Sequence, residues 1–369
     1  MKFLSSWCSV WFVAALSAQA PAPVVEDLGG LLAKVRTERG VPALGVVVLV
    51  DGELRALGVS GVRRQGHPQP VTVDDRWHLG SCTKVMTATL LAKYVERGSL
   101  QWTTTVAEAL PDLAATLHAD ARGITVRDLL THRAGLPGGP PEPLWGQLFH
   151  FPGSDAEART KVAATMLAVA PEAKPGARFL YSNAGYMIAG AIVERVGKAP
   201  WAELMQRELF GALGITSAGF GMPGAVDGTT EPWGHQAGKS GPVPVFADNP
   251  PSLGPAGTAH MTLRDWAKFA ALHLGVVVDR EHPLLTTASL AALRTPPAGA
   301  DYALGWVVTK RPWALGPVLT HSGSNTMWYC VAWLAPEAKF AVLVTCNQGE
   351  AAAACDAVAA ACVQRFRPQ

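Results

Sequence analysis

A serine is followed three residues later by a lysine in segment 79–86, Leu-Gly-Ser-Cys-Thr-Lys-Val-Met. Apolar residues then recur at threes and fours until Gly98, which predicts a helix that begins near Ser81. Residues three apart share one helix face, so we expect the amine of Lys84 to reach the Ser81 hydroxyl. A serine needs an adjacent base or cation to act as a nucleophile, and this spacing would supply one. The pattern also arises by chance, so it does not identify a site alone.

Two later segments offer the other groups that an activated serine requires. Tyr181 and Asn183 precede a predicted helix over 184–196. A tyrosine near a lysine ammonium ionises more readily and can act as a base. Asn183 can donate to a substrate carbonyl, or it can simply cap the helix. Segment 321–324, His-Ser-Gly-Ser, comes just before a predicted pair of strands, where Gly323 would let a substrate backbone approach closely.

The elements that must position these groups predict an α+β fold. Strand-like sequence lies at both ends of the chain, and the middle is helical. We expect one antiparallel sheet, covered by the N- and C-terminal helices, with an all-helical insertion over about 99–260. Segment 221–257 lacks periodicity and is predicted to be a loop. The predicted strands are 44–50, 53–62, 304–308, 328–334 and 340–345, and the main predicted helices are 24–39, 156–170, 184–196, 201–210, 261–274 and 351–363.

Composition bounds the classes of function. The chain has 369 residues, of which 49% are hydrophobic and 16% charged, as in a globular protein. Its net charge of +2 gives no reason to expect a nucleic-acid partner. No H-E-x-x-H or comparable ligand spacing occurs, so no metal or other cofactor is expected. His132 and His260 are expected to be packed or capping residues. A Gly-x-Ser-x-Gly turn, typical of another hydrolase class, is also missing from the sequence.

The N-terminus is typical of a secretory signal. Lys2 precedes a short apolar run over 3–16, and Ala-Gln-Ala at 18–20 is a cleavage pattern. The signal peptide is therefore predicted to cover about residues 1–20. Because Pro21 would hinder cleavage after Ala20, the cleavage site itself is expected anywhere between about residues 17 and 22. An uncleaved anchor is the alternative. The mature domain, about 24–365, is then exported to the periplasm or the extracellular space and has no membrane span.

Signal removal would also remove Cys8 and leave five cysteines, an odd number, so at least one thiol stays free. Cys355 and Cys362 lie too far apart along one helix to pair. The pairing of Cys330, Cys346, Cys355 and Cys362 stays open. Cys82, next to Ser81, is expected to be a small buried residue rather than a nucleophile.

Ser-x-x-Lys, Tyr-x-Asn and a late His-x-Gly, in this order, resemble the serine β-lactamase and penicillin-binding-protein superfamily. The branch that it resembles most contains class C β-lactamases, DD-peptidases and related esterases. Segments 126–137, 209–215 and 321–326 support the resemblance, which covers nearly everything after about residue 25. It implies a β-lactamase/transpeptidase-like fold with its helical insertion.

The resemblance also implies a role for each motif residue. Ser81 would form the acyl-enzyme, Lys84 would activate it, and Tyr181 would shuttle the proton. Substrate binding would fall to Asn183, His321, Gly323 and Ser324. The backbone N–H groups of Ser81 and Ser324 would form the oxyanion hole. Together these roles predict a secreted serine hydrolase that acts on a small molecule or peptide with an ester or amide, cell-wall peptides among them.

His321 departs from the pattern, because β-lactamases and many DD-peptidases have a lysine there that helps to bind the substrate carboxylate. Histidine is mostly neutral at pH 7. An esterase or a D-amino-acid peptidase-like enzyme is therefore favoured. The first alternative is a class C-like β-lactamase, and the second is a non-catalytic cell-wall-binding protein with the same fold.

Overall fold

A computed structural model of the chain describes residues 24–226, 228–276 and 284–367. Its strands are β1 (Glu26–Asp27), β2 (Ala43–Val50), β3 (Glu53–Gly61), β4 (Arg76–His78), β5 (Gly219–Phe220), β6 (Gly234–Gly238), β7 (Gly241–Val245), β8 (Ala259–Thr262), β9 (Val307–Thr309), β10 (Val318–Ser324), β11 (Tyr329–Ala335) and β12 (Phe340–Cys346). Its helices are α1 (Gly29–Arg39), α2 (Thr83–Glu96), α3 (Val106–Ala109), α4 (Val126–Leu130), α5 (Leu144–Leu148), α6 (Asp155–Leu167), α7 (Asn183–Gly197), α8 (Trp201–Leu204), α9 (Gly254–Gly257), α10 (Leu263–His273), α11 (Thr287–Arg294) and α12 (Ala352–Phe366).

A seven-stranded sheet joins the two ends of the chain, in the order β1-β3-β2-β12-β11-β10-β9. Strand β2 pairs antiparallel with β12, with Val46 opposite Val344, so the N-terminal hairpin and the C-terminal strands form one sheet. Only the short β1 runs parallel to its neighbour, β3. The α+β fold and the central sheet predicted from the sequence are therefore confirmed.

Both faces of this sheet are covered, which explains the unbroken apolar run of β2. Val47 and Leu49 face one buried cluster, whereas Val46 and Val48 face the other. Strands buried on both faces show continuous hydrophobic sequence rather than alternation. Helices α1 and α12 pack on one face, and α2 and α10 lie on the other. The first and last helices thus cover the sheet as expected.

Helix α2 runs through the centre of the molecule. Every residue from Thr83 to Tyr94 is buried. The helix packs between the sheet on one side and α7, α9 and α11 on the others. Five of these twelve residues are threonine or lysine, and the hydroxyl or amine of each has a hydrogen-bond partner, as a buried polar group requires. Its first turn, and Lys84 with it, therefore lies inside the protein rather than at the surface.

Two predicted helices begin later than expected, because a strand precedes each of them. Helix α1 begins at Gly29 rather than at residue 24, since Glu26 and Asp27 pair with β3. Helix α10 begins at Leu263, because β8 occupies the residues before it. The Thr262 side chain accepts a hydrogen bond from the N–H of Asp265 and caps this helix.

The insertion over 99–260 is not all-helical as expected. It contains β5 and β8, which form a three-stranded sheet with β4, and the β6–β7 hairpin. This hairpin lies within the predicted loop 221–257, where the many glycines and prolines obscure the strand pattern in the sequence. The strand predicted at 304–308 begins only at Val307, because Gly305 adopts a φ of +90° and turns the backbone.

Among the described residues, no helix is both long and apolar enough to cross a membrane. The predicted signal peptide and its cleavage site lie outside the described residues. Cys82, Cys330, Cys346, Cys355 and Cys362 are all free thiols and all buried.

Candidate active site

Ser81 lies in a tight turn between β4 and α2. A 3₁₀ turn over Gly80–Cys82 leads directly into the helix, and Gly80 adopts a φ of +46°. A Cβ on residue 80 would lie 2.4 Å from the backbone nitrogen of Ser324. Only glycine therefore allows this turn to lie against β10. The contact brings the backbone of Ser81 alongside that of Ser324.

The hydroxyl of Ser81 contacts two side chains that the sequence analysis singled out. Lys84 Nζ lies 3.0 Å from Ser81 Oγ. The hydroxyl of Tyr181 lies 2.8 Å from the same oxygen. Tyr181 is 100 residues away along the chain, so the fold rather than local sequence brings it here. The three residues expected to do the chemistry thus form one hydrogen-bonded group.

The Lys84 amine is held by two more acceptors. Nζ donates to Oδ1 of Asn183 and to the carbonyl of Ala256, both at 2.7 Å. The side chain is fully buried. This burial lowers the pKa of Lys84 to about 7, although the nearby Cys82 acts in the opposite direction. At neutral pH a substantial fraction of Lys84 is therefore an uncharged amine.

The pKa of Tyr181 is not lowered, although the sequence analysis expected a neighbouring ammonium to lower it. Although 39% of Tyr181 is exposed, its hydroxyl lies against Ser81, and desolvation there raises the pKa of Tyr181 to about 12; the hydrogen bond to Ser81 offsets only part of this. The assumed ammonium is itself destabilised by burial, so it provides little positive charge for a phenolate. Tyr181 therefore stays protonated near neutral pH and donates to Ser81 Oγ.

Asn183 is the first residue of α7 but does not cap it. The preceding Ser182 is the cap, and its hydroxyl accepts a hydrogen bond from the N–H of Gly185. Because the side-chain oxygen of Asn183 accepts the hydrogen bond from Lys84, its NH₂ group is available to donate to a substrate. The alternative that Asn183 is only a helix cap is thus excluded.

Segment 321–324 forms the end of strand β10. The sequence analysis had placed it just before the predicted strands 328–334 and 340–345, outside any strand. Gly323 is required for a different reason from the one predicted. A Cβ on residue 323 would lie 2.0 Å from the carbonyl oxygen of Leu79, so this glycine admits the protein's own Leu79–Ser81 turn. The close approach of a substrate backbone to Gly323 remains a prediction.

His321 is buried, and both of its ring nitrogens have partners within the protein. Nδ1 lies 2.6 Å from the carbonyl oxygen of Ser322, so it must carry a proton and donate. Nε2 lies 3.0 Å from the hydroxyl of Tyr302. A neutral imidazole satisfies both contacts, because its bare Nε2 accepts from that hydroxyl.

The predicted oxyanion hole combines two elements. Ser81 lies in the first turn leading into α2, where backbone N–H groups lack intrahelical acceptors. Ser324 is the last residue of β10 and is exposed. The Gly80 contact with Ser324 holds the two chain segments together. This geometry is compatible with two N–H groups converging on a substrate oxygen.

The sequence of this chain matches the family model described as Beta-lactamase over residues 25–364. The chain belongs to the β-lactamase family. It is 34% identical over 292 residues to penicillin-binding protein 4 of Amycolatopsis lactamdurans, covering 76% of this chain and 73% of that one. It is 30% identical over 171 residues to the lovastatin esterase of Penicillium rubens, covering 42% of each chain.

Solved structures agree with this membership at the level of the fold. The class C β-lactamase from Rhodobacter sphaeroides superposes with a TM-score of 0.71 at 23% identity. That match covers 90% of this chain and 96% of the other. The resemblance inferred from the motifs is confirmed, and with it the assignment of this β-lactamase-family protein to the serine hydrolase superfamily.

The site of this β-lactamase-family member also contains residues that the sequence analysis did not assign to it. His132 is buried, and its Nδ1 accepts a hydrogen bond from the N–H of Ser182. Its ring packs against that of Tyr181 at an interplanar angle of 37°, with the centroids 4.3 Å apart. His132 is thus a packed residue, as expected, but what it packs and holds is the tyrosine of the site. Tyr302 supports His321 through the hydrogen bond to its Nε2. His132 lies within segment 126–137, which supported the resemblance, but neither His132 nor Tyr302 was assigned a role in the site.

His260, by contrast, lies apart from the serine, where its Nδ1 contacts the carbonyl of Gly221. Within the ranges that the structure describes, no group of three or more His, Cys, Asp or Glu residues is arranged to hold a metal ion.

Proposed function

We propose that this protein is a serine hydrolase that cleaves an ester or amide through an acyl-enzyme on Ser81. The observation that carries the proposal is the arrangement around Lys84. Its two shortest hydrogen bonds go to Asn183 and Ala256. An uncharged amine has two N–H groups, and these two acceptors use both. Its lone pair is then left for the third contact, the hydroxyl of Ser81 at 3.0 Å.

Acylation follows from this arrangement. Neutral Lys84 accepts the Ser81 proton as Oγ bonds to the substrate carbonyl carbon. The carbonyl oxygen becomes an oxyanion, which the N–H groups of Ser81 and Ser324 stabilise. The bond to the leaving group then breaks, and Tyr181 passes a proton to that group and is reprotonated through Lys84. Water attacks the acyl-enzyme by the same route in reverse and releases Ser81.

An esterase or a D-amino-acid peptidase-like activity is favoured within this class. Support comes from His321, whose two ring nitrogens are already engaged by Ser322 and Tyr302, so the ring has no free donor for a substrate carboxylate. The names of the relatives do not decide between the subclasses, because they include a penicillin-binding protein, an esterase and β-lactamases. A class C-like β-lactamase is the second candidate, because enzymes of that name share the fold.

A non-catalytic cell-wall-binding protein is the remaining alternative. It predicts that the hydrogen bonds around the serine need not be kept. Here Ser81 forms hydrogen bonds with both Lys84 and Tyr181, and Asn183 accepts a further hydrogen bond from Lys84. This intact network supports turnover. The signal-like N-terminus supports action outside the cytoplasm, where cell-wall peptides are accessible.

The proposal is tested by labelling with a fluorophosphonate, which reacts with activated serines. Intact-mass analysis should show one adduct in the wild type and none in Ser81→Ala. Cys82→Ala is the matched control and should label like the wild type. An adduct that persists in Ser81→Ala, or maps to Cys82, would refute the assignment. A panel of short-chain nitrophenyl esters, D-alanyl peptides and nitrocefin then separates the three hydrolase subclasses.

A further inference from the structure

His78 and Asp248 form a buried pair directly behind the Gly80–Ser81 turn. His78 Nε2 lies 2.8 Å from Oδ2 of Asp248, and the His78 side chain is fully buried. On the other side of the ring, Nδ1 lies 3.1 Å from the backbone nitrogen of Gly80. The ring therefore connects Asp248 to the turn that carries Ser81.

The tautomer of His78 follows from these two contacts. The Gly80 N–H can only donate, so Nδ1 of His78 carries no proton and accepts. The proton of a neutral ring then lies on Nε2 and is donated to Asp248. The carboxylate thus selects the tautomer that can hold the Gly80 N–H in place.

The other oxygen of Asp248 holds the second half of the predicted oxyanion hole. Oδ1 accepts from Nδ2 of Asn325 at 3.0 Å and from the N–H of Asn249 at 2.7 Å. The Asn325 amide cannot be reversed, because its oxygen accepts from the N–H groups of Met327 and Trp328. Asn325 directly follows Ser324, so Asp248 fixes the chain on this side as well.

We propose that Asp248 is a positioning residue that aligns both N–H donors of the oxyanion hole, one through His78 and one through Asn325. This inference rests on the proposed function of Ser81. One carboxylate, with an oxygen turned to each side, links the turn before α2 to the end of β10. Asp248 is 8% exposed and His78 not at all, so neither residue touches substrate.

Substitution by asparagine changes one atom of Asp248 and breaks this link. An amide has one oxygen, so its NH₂ must face either His78 or the pair Asn325 and Asn249. An NH₂ group turned toward Asn325 and Asn249 would point its hydrogens at two N–H donors, whereas one turned toward His78 would point them at a single donor. The NH₂ therefore turns to His78, and the ring must move its proton to Nδ1. That proton then points at the Gly80 N–H and displaces the turn.

The test measures phosphonylation of Ser81 by a fluorophosphonate, separated into the maximal rate constant kinact and the binding constant KI. Asp248→Asn should lower kinact about 10- to 100-fold, somewhat less than outright loss of one oxyanion donor. KI should change less than about twofold, because the displaced donors act on the transition state. His78→Gln keeps a donor for Asp248 but removes the acceptor for Gly80, so the same loss is expected.

The matched control is Asp265→Asn. Asp265 is another buried carboxylate, and it holds Ser217 and Lys268 rather than the turn of Ser81. This variant should melt at a lower temperature and keep kinact within about twofold. A purely structural role for Asp248 would make the two asparagine variants behave alike, with a lower melting temperature and an unchanged kinact, and would overturn the inference.

Nitrogen-15 NMR of the imidazole rings supplies a readout that does not depend on activity. His78 should show a protonated Nε2 in the wild type and a protonated Nδ1 in Asp248→Asn, with His78→Gln identifying its signals. An unchanged tautomer would overturn the inference. A wild type that does not label at Ser81 would overturn the proposed function, whereas labelling that is unaffected by Asp248→Asn would overturn this inference alone.

Discussion

The carbonyl oxygen of Ala256 accepts a 2.7 Å hydrogen bond from the amine of Lys84, which lies 172 residues earlier in the chain. Together with Asn183, this carbonyl fixes the lysine from two sides and leaves its third direction toward Ser81. A backbone carbonyl cannot be protonated or rotated away. The amine is thus held in one orientation, and burial favours its uncharged form.

The first prediction concerns the pH dependence of catalysis. Burial lowers the pKa of Lys84 to about 7, and the neutral amine is the form that accepts the Ser81 proton. For a neutral ester, kcat/KM should therefore fall about tenfold per pH unit below pH 7 and level off above it, since kcat/KM reports the free enzyme. Initial rates between pH 5.5 and 9, corrected for uncatalysed hydrolysis, measure this limb.

Cys82 is the control for this prediction, because its thiol also titrates close to Lys84. Burial raises the pKa of Cys82, but the hydrogen bond from Cys330, with smaller contributions from the neighbouring His321 and Lys84, outweighs burial and lowers it. Cys82→Ala should keep the acid limb and move it to somewhat lower pH, because Cys82 raises the pKa of Lys84. A limb that disappears in this variant, or activity that rises toward acid in the wild type, would exclude neutral Lys84 as the base.

The second prediction concerns the shared proton transfer. Lys84→Met fills a similar volume without a base, and Tyr181→Phe removes only the hydroxyl. Each should lower kcat at least about 10²-fold, the usual loss when a general acid or base is removed. The double variant should lose far less than the product of the two, because residues that act on one step are non-additive. Steady-state kinetics of the four proteins complete the cycle.

Tyr186→Phe provides the matched control for this cycle. The Tyr186 ring also lies near the Lys84 amine, but its hydroxyl donates to the carbonyl of Leu130 rather than to Ser81. Losing that bond should lower stability and leave kcat within a few-fold. Independent, multiplying losses in the Lys84 and Tyr181 cycle would contradict a shared step.

Sequence alone was sufficient where the geometry is local. The contact between Ser81 and Lys84 follows from the helical spacing of three residues, and β2 follows from its apolar run. Thr262 and Asp265, three apart, also carried a readable helix-start signal that would have placed the start of α10 correctly. Loop and strand signals singled out Tyr181 and His321 as candidates, and the resemblance then supplied their roles.

The remaining residues of the site could not be predicted, because long-range contacts alone define them. Asp248 lies in a segment without periodicity, and Ala256 contributes only its backbone. His132 packs against Tyr181, and Tyr302 forms a hydrogen bond with His321; no spacing in the sequence marks such contacts. Tyr181 shows the limit most clearly, since its raised pKa depends on the desolvation of its hydroxyl in the folded protein, which the sequence does not reveal.

The last prediction addresses His321, the residue that stands where related enzymes have lysine. His321→Lys should raise the ratio of kcat/KM for a carboxylate-bearing ester over its neutral methyl-ester analogue about tenfold at pH 7, the effect of one charge-assisted hydrogen bond of about 1.5 kcal/mol. Using the ratio cancels any general damage to the catalytic group, because both substrates share it. Ser322→Lys is the control: it places the same charge one residue away on the opposite face of β10, where it should leave the ratio unchanged. Should a folded His321→Lys variant show the wild-type ratio, this position would not meet the substrate carboxylate, and the argument that favours an esterase or peptidase over a β-lactamase would lose its main support.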